Sequence, residues 1–342
     1  METKELKEKI LLLPVPERER LLKEIEETLR GADLAAHASR RHVLDNKMGQ
    51  CPHCSHKKYV HFGTDKGARR YKCKSCRRSF TEFTGTWMAG LQRRDKVGAY
   101  LELMMQEKSL DKISAALEIN KKTAFDWRHK ILAALGKDGE DGFSGITESD
   151  ETFFLRSEKG MEVKGREPRK RGGKSGKRGV NDDHVAVIAT QDRKSALDLT
   201  VATLGRIGKA DIEGAIGGRL KKGAAILCTD AHRSYNAFAR EIGVEYHPLN
   251  ASKGERVKEG IYHVQHVNST HNRIKKWIGN TFWGVSTKYL QQYLDWHRAK
   301  EHIKQSRDRA RAFVRLTMED AKALERYARI GPRYENLIST PD

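Results

Sequence analysis

The spacing of apolar residues changes several times along the chain, and each change marks a different kind of element. Leu21, Leu22, Ile25 and Leu29 recur at helical spacing before Gly31, so the charge-rich residues 1–48 read as a helical N-terminal segment. Residues 49–85 carry short runs, Y-V-H-F-G, R-R-Y-K-C and R-S-F-T-E-F, that predict brief strands. Helical spacing returns over 88–137. Val97, Tyr100, Leu101 and Met104 form one helix; Ile113, Leu117 and Ile119 face Ala124, Trp127 and Ile131 from two more, around a turn near residues 118–121. A Gly- and Asp-rich linker over 136–145 leads into the largest region. There, strands at 146–157, 184–190 and 196–203 precede a helix over 210–222 and a strand at 224–229. A helix over 232–242, a short strand at 244–249 and a helix over 264–279 follow. This order predicts an α/β domain over 145–300 with a mixed five-stranded sheet. Tyr289, Leu290, Tyr293, Leu294 and Trp296 predict an amphipathic helix packed on its core. Residues 301–342 form a charged helical tail expected to stop at Gly331-Pro332.

The first strand of that domain, I-T-E-S-D-E-T-F-F-L-R-S, is apolar in character yet holds Glu148, Asp150 and Glu151. Side chains alternate across a strand, so Glu148 and Asp150 share one face and Glu151 is expected to point away. Ionised carboxylates inside a sheet are costly unless a metal, a cation or open solvent compensates them. Asp230 ends the apolar run A-A-I-L-C-T-D, and two acids at strand ends are what a divalent-metal site requires. Asp182, Asp183, Asp192 and Asp198 read as turn or surface acids.

Four of the five cysteines fall in the pattern Cys51-x2-Cys54-x18-Cys73-x2-Cys76. Each C-x2-C forms a knuckle presenting two thiolates to one ion, and two knuckles complete a tetrahedron around Zn²⁺, as in a zinc ribbon. A redox dithiol is the rival reading. Zinc binding would supply on the order of 10 kcal/mol to the folding of so small a unit. Cys228, inside an apolar run, reads as a small core residue.

Charge sharpens the picture. With 66 basic and 46 acidic residues the formal charge is +20, which favours an acidic polymer, nucleic acid above all, as partner. The helices around residues 118–121 read as a helix-turn-helix unit with Lys121, Lys122, Thr123, Asp126, Arg128 and His129 on or near the recognition helix; a plain helical hairpin is the alternative. The basic segment from Arg156 to Val180, holding Arg169, Lys170 and Arg171, has too little apolar surface to pack and is placed to grip a phosphate backbone. No run is long and apolar enough to span a bilayer, and no signal-peptide core opens the chain. A cytoplasmic, nucleoid-associated protein is expected.

On the last helix of the domain, Asn268, His271, Asn272 and Lys275 share a face that carries no acid. This helix is expected to bring the third metal or substrate group, and the missing acid departs from a simple three-carboxylate site.

With these residues in view, the chain resembles bacterial insertion-sequence transposases of the ISXO2-like group. The zinc ribbon, K-K-T-A-F-D-W-R-H, D-E-T-F-F, R-K-R-G-G-K, C-T-D-A-H-R-S-Y and H-V-Q-H-V-N-S-T-H-N-R-I-K-K-W match its landmarks in order, over roughly residues 45–300. The resemblance implies a ribonuclease-H-like catalytic domain in which the first and fourth strands are neighbours, bringing Asp150 beside Asp230. It implies a third position at Asn268, with His271 as competitor and Lys275 following. It further implies Mg²⁺ or Mn²⁺ at the acids, cleavage and strand transfer on double-stranded DNA, and a homo-oligomer on that DNA. A non-catalytic DNA-binding regulator derived from a transposase, or an RNase H-like nuclease, are the alternatives.

Overall fold

A computed structural model of the chain describes residues 8–21, 32–46, 48–136, 142–161, 172–319 and 321–339. The chain divides into two compact units, residues 1–128 with 305–324 and residues 129–304 with 325–342. Among the described residues no helix is long and apolar enough to cross a membrane.

In the first unit, most of the apolar stripe from Leu21 to Leu29 lies outside the described residues. Helix α1 (Ala32–Asp45) packs on a three-stranded antiparallel sheet, β1 (Tyr59–Asp65), β2 (Ala68–Cys73) and β3 (Ser79–Thr81). The Tyr59 hydroxyl donates to the Leu44 carbonyl at 2.8 Å and the Tyr71 hydroxyl to Asp45 at 2.9 Å. Glu82, fully buried, is held by His37, Arg41 and the Arg69 backbone N–H. Burial raises its pKa, but these donors outweigh that and hold it below the usual carboxylate range.

Helices α2 (Val97–Met105), α3 (Leu110–Leu117) and α4 (Lys121–Ala134) follow. The Ser109 side chain caps α3 by accepting from the Lys112 N–H. Glu118 then turns the chain in the left-handed region at φ 50°, and the Asn120 side chain accepts from the Lys122 N–H at 2.8 Å. Ile113, Leu117, Ala124, Trp127 and Ile131 are buried, as their periodicity predicts. Helix α9 (Arg309–Thr317) completes the unit, with Arg40 bonding the Met318 carbonyl.

The second unit is built on a five-stranded sheet of β4 (Phe143–Leu155), β5 (His184–Asp192), β6 (Leu197–Leu204), β7 (Leu220–Asp230) and β8 (Glu245–Leu249), in the order β6-β5-β4-β7-β8. The first three strands are antiparallel, while β7 lies parallel to β4 and β8 parallel to β7. The first and fourth strands are neighbours, the ribonuclease-H-like order that the family resemblance implies. Helices α5 (Lys209–Ile216) and α6 (Arg233–Ile242) cover one face, where Ile188, Leu227 and Phe238 pack. Helices α7 (Gln265–Lys276) and α8 (Leu290–Ile303) cover the other, with Val187, Val267, Ile274 and Leu294.

Three sequence readings are corrected here. The helix expected over 210–222 stops at Ile216; Gly217 and Gly218 fall in a short 3-10 turn, and Leu220 already pairs with Phe143. Gly331-Pro332 does not stop a helix but lies in the first turn of α11 (Ile330–Ser339), which follows α10 (Ala323–Ala328); proline is tolerated there because its missing N–H has no partner within the helix. Asp198 is no surface acid: it is buried, 2.8 Å from Arg219 and 3.6 Å from Arg298. Asp192, also buried, does serve a turn, accepting from the N–H groups of Lys194 and Ala196.

Candidate active site

Strand β4 pairs with β7 only as far as Glu148 opposite Cys228, whereas it continues along β5, placing Asp150 opposite Ala189. Beyond that point the β7 side of β4 is open. Asp230 is the last residue of β7, and its carboxylate accepts from the His232 N–H at 3.2 Å. Asp150, Glu151 and Asp230 each offer an oxygen within 4.8 Å of the others.

Glu151 thereby departs from its expected place. Alternation puts its Cα–Cβ bond on the face opposite Asp150, yet β7 has no residue paired with it, and a Glu151 oxygen still comes within 4.8 Å of oxygens of Asp150 and Asp230. Its Oε2 is buried and has no hydrogen-bond partner among the described residues. The sequence carries only the adjacency of the two acids, Asp150 and Glu151; the end of the neighbouring strand is not legible in it. Glu148, by contrast, stays out of the trio and is fully buried beneath the start of α7.

Electrostatics make the trio costly as it stands. Burial, then the Glu151 and Asp230 charges, push the Asp150 carboxyl up to about 8, while Lys275 opposes the shift. Burial and Asp230 raise Glu151 as well. Three clustered acids, with Asp150 and Glu151 raised, and an orphaned buried oxygen fit a divalent cation bound through oxygen.

Helix α7 supplies the facing wall. Val267, Thr270, His271 and Ile274 form its buried stripe, at i, i+3, i+4 and i+7. His271 Nδ1 lies 3.8 Å from the Asp150 carboxylate, and its buried Nε2 has no partner among the described residues. Burial, aided by Lys275, lowers His271 to about 4, so the ring is neutral near pH 7. Asn268 and Lys275 are exposed on the same helix. The structure therefore brings His271 to Asp150 and leaves Asn268 at the solvent edge, one turn nearer the helix start.

In the first unit the four cysteine sulfurs converge: Cys51 and Cys76 are 3.8 Å apart, Cys54 and Cys73 3.7 Å. An ion about 2.3 Å from each thiolate at tetrahedral angles requires sulfurs about 3.8 Å apart, so the cluster is spaced to hold zinc. Ser55 and Arg77, each just after a knuckle's second cysteine, take matching left-handed conformations at φ 58° and 63°.

The expected DNA-contacting residues divide. Lys121 and Lys122 are exposed, Lys121 within 2.7 Å of Asp111, and Thr123 is half-buried. Arg128 is not on that surface: it is 2% exposed and donates to the Lys108 carbonyl at 2.6 Å. Four residues beyond Ala124 on the helix, it lies on the packed side, and His129 is buried too. Arg169, Lys170 and Arg171 lie outside the described residues.

Comparison with known proteins agrees with this geometry. Residues 142–297 match the family model described as the ISXO2-like transposase domain. An uncharacterized protein in the transposable element ISH50 of Halobacterium salinarum is 26% identical over 258 residues, covering 71% of this chain and 82% of the relative. Among solved structures, a chain of a simian T-cell lymphotropic virus intasome in complex with the PP2A regulatory subunit B56 gamma is 9% identical. Its TM-score is 0.29, with 58% of this chain and 66% of that one covered, just under two thirds. A chain of a pre-cleavage Mos1 transpososome is 11% identical with a TM-score of 0.24, covering 70% of this chain and 77% of that one. At such scores the fold assignment rests on the strand order. The domain over residues 142–297, with its acids at the open junction of β4 and β7, belongs to the ISXO2-like transposase domain family.

Proposed function

We propose that the protein is the transposase of an insertion sequence, binding the ends of its element and catalysing DNA cleavage and strand transfer. The observation that carries this reading is the meeting of Asp150, Glu151 and Asp230 at the open end of β4 and β7, faced by His271. Mg²⁺ or Mn²⁺ held by these oxygens would supply activation of a water or 3′-hydroxyl and stabilisation of the leaving oxygen.

The chain's own groups do the rest. Asp150 and Asp230 provide the carboxylates, and Glu151 adds a third. His271, neutral, offers a ring nitrogen beside Asp150 without adding a cation; Asn268 competes with it for the third position if the helix edge approaches on DNA binding. Lys275 is placed to hold a flanking phosphate as a point charge. The cysteine cluster binds structural zinc. Lys121, Lys122 and Thr123 on α4, with Arg169, Lys170 and Arg171 of the basic segment, contact double-stranded DNA, in keeping with the net charge of +20. Pairing two element ends calls for a homo-oligomer on DNA, in the cytoplasm at the nucleoid.

The test is to incubate the purified protein with duplexes carrying the inverted repeats that flank its coding region, in Mg²⁺ or Mn²⁺. Nicks at the repeat boundary and joined products are expected; binding of those ends without any cut would favour the regulator, and cutting without joining the nuclease.

A further inference from the structure

Glu148 has no place in the acid trio, yet its carboxylate is buried and held by several donors. One oxygen accepts from the backbone N–H groups of His266 at 2.8 Å and Val267 at 3.2 Å, in the first turn of α7. The other lies 2.6 Å from His266 Nδ1, 3.0 Å from the Arg193 guanidinium and 3.4 Å from His263 Nδ1. Helix α7 has no side-chain cap of its own. A buried carboxylate from another strand thus satisfies its orphan N–H groups and meets the positive end of its dipole.

Glu148, His263 and His266 also have the spacing of a metal site. The Arg193 guanidinium, 3.0 Å from Glu148 and 3.1 Å from His263 Nε2, already holds the position a cation would take. Arg193 is in turn fixed by the Ile261 carbonyl at 3.1 Å and through its own N–H to Ile146 on β4. The cluster is a structural junction between β4, the β5–β6 turn and α7.

We infer that Glu148 is a positioning residue for the reaction, docking α7 on β4 so that His271 meets Asp150. The spacing supports this directly. Two residues along a strand advance roughly 6.6 Å and four along a helix roughly 6 Å. A helix running along β4 and pinned at Val267 by Glu148 therefore brings His271 level with Asp150. The two sit 3.8 Å apart. The inference rests on the proposed function for its consequence in catalysis, but the docking itself does not depend on it.

Three readouts on the zinc-loaded full chain test it: hydrogen exchange over residues 262–278, the Mn²⁺ concentration giving half-maximal thermal stabilisation, and nicking and binding of element ends. For Glu148→Ala, exchange in that segment should accelerate, and half-saturating Mn²⁺ and the nicking rate should each worsen by about 10–100-fold, with end affinity kept. Glu148→Gln retains an oxygen for the two N–H groups and should lose less on every readout. Unchanged Mn²⁺ half-saturation and helix protection in Glu148→Ala would overturn the inference, as would uniform loss of structure in both variants. If Glu148→Ala does not fold, Glu148→Gln decides: raised Mn²⁺ half-saturation with end affinity kept supports positioning, and an unchanged value refutes it. Should the wild type fail to nick, the transposase reading falls while the exchange and Mn²⁺ readouts still judge Glu148.

Discussion

Replacing Asp150 by Asn should stabilise the metal-free protein, and by an amount that depends on pH. Asp150 has an ordinary pKa near 3.8 and is pushed up to about 8 in the folded chain, so folding disfavours its ionised form. For an acid raised in this way, the native state binds a proton that the unfolded state has lost. Stability therefore falls as pH climbs from about 4 to about 8 and is flat above. Four pK units at 1.36 kcal/mol each set a ceiling of roughly 5–6 kcal/mol. Asp150 keeps 19% of its side chain exposed, and Glu151 and Asp230 share the repulsion, so about 2–3 kcal/mol is the working magnitude. In a domain of this size that is about 5–10 °C in Tm. The assay is thermal unfolding of zinc-loaded wild type and Asp150→Asn, freed of Mg²⁺ and Mn²⁺, from pH 5 to pH 9. The variant's advantage should be smallest at pH 5 and widen up to pH 8, and the variant should lose most of the stabilisation that Mn²⁺ gives the wild type. A difference that does not change with pH, or an Mn²⁺ shift equal in both proteins, would refute the reasoning.

Other consequences are simpler to read. Cys73→Ser should abolish stoichiometric zinc and lower affinity for element ends while leaving the pH-dependent stability of the second unit in place; zinc content and band shifts check this. Lys122→Ala should reduce the salt dependence of DNA binding by about one counterion, whereas Arg128→Ala should leave that slope alone and cost about 1–3 kcal/mol of stability. Asp198→Ala takes the shared carboxylate from Arg219 and Arg298, both half-buried, with Asp295 still beside Arg298, and should destabilise by about 1–3 kcal/mol, measured by denaturant unfolding.

Periodicity and spacing carried most of the fold. The strand and helix order of the second unit, the two cysteine knuckles and the buried faces of α3 and α4 all follow from local patterns that bind neighbouring residues to one face. Asp150 and Asp230 were legible because each acid interrupts an apolar run. What local pattern does not contain is where a neighbouring strand stops. Alternation along β4 sends Glu151 away from the site, yet with no β7 residue paired beside it one of its oxygens joins the trio. The same limit applies to Arg128, whose position on a basic helix suggests DNA until Lys108 is seen to take its guanidinium. On α7, four residues share a helical face, but the sheet decides which of them is buried, and it buries His271.

The central claim is that Asp150 and Asp230 form one metal-dependent centre for DNA cleavage. The most direct measurement is nicking of a labelled element end in Mg²⁺ or Mn²⁺ by wild type, Asp150→Ala and Asp230→Ala, with end binding followed in the same reactions. Both variants should bind the end as the wild type does and leave it uncut. Cleavage by either at the wild-type rate would contradict the account.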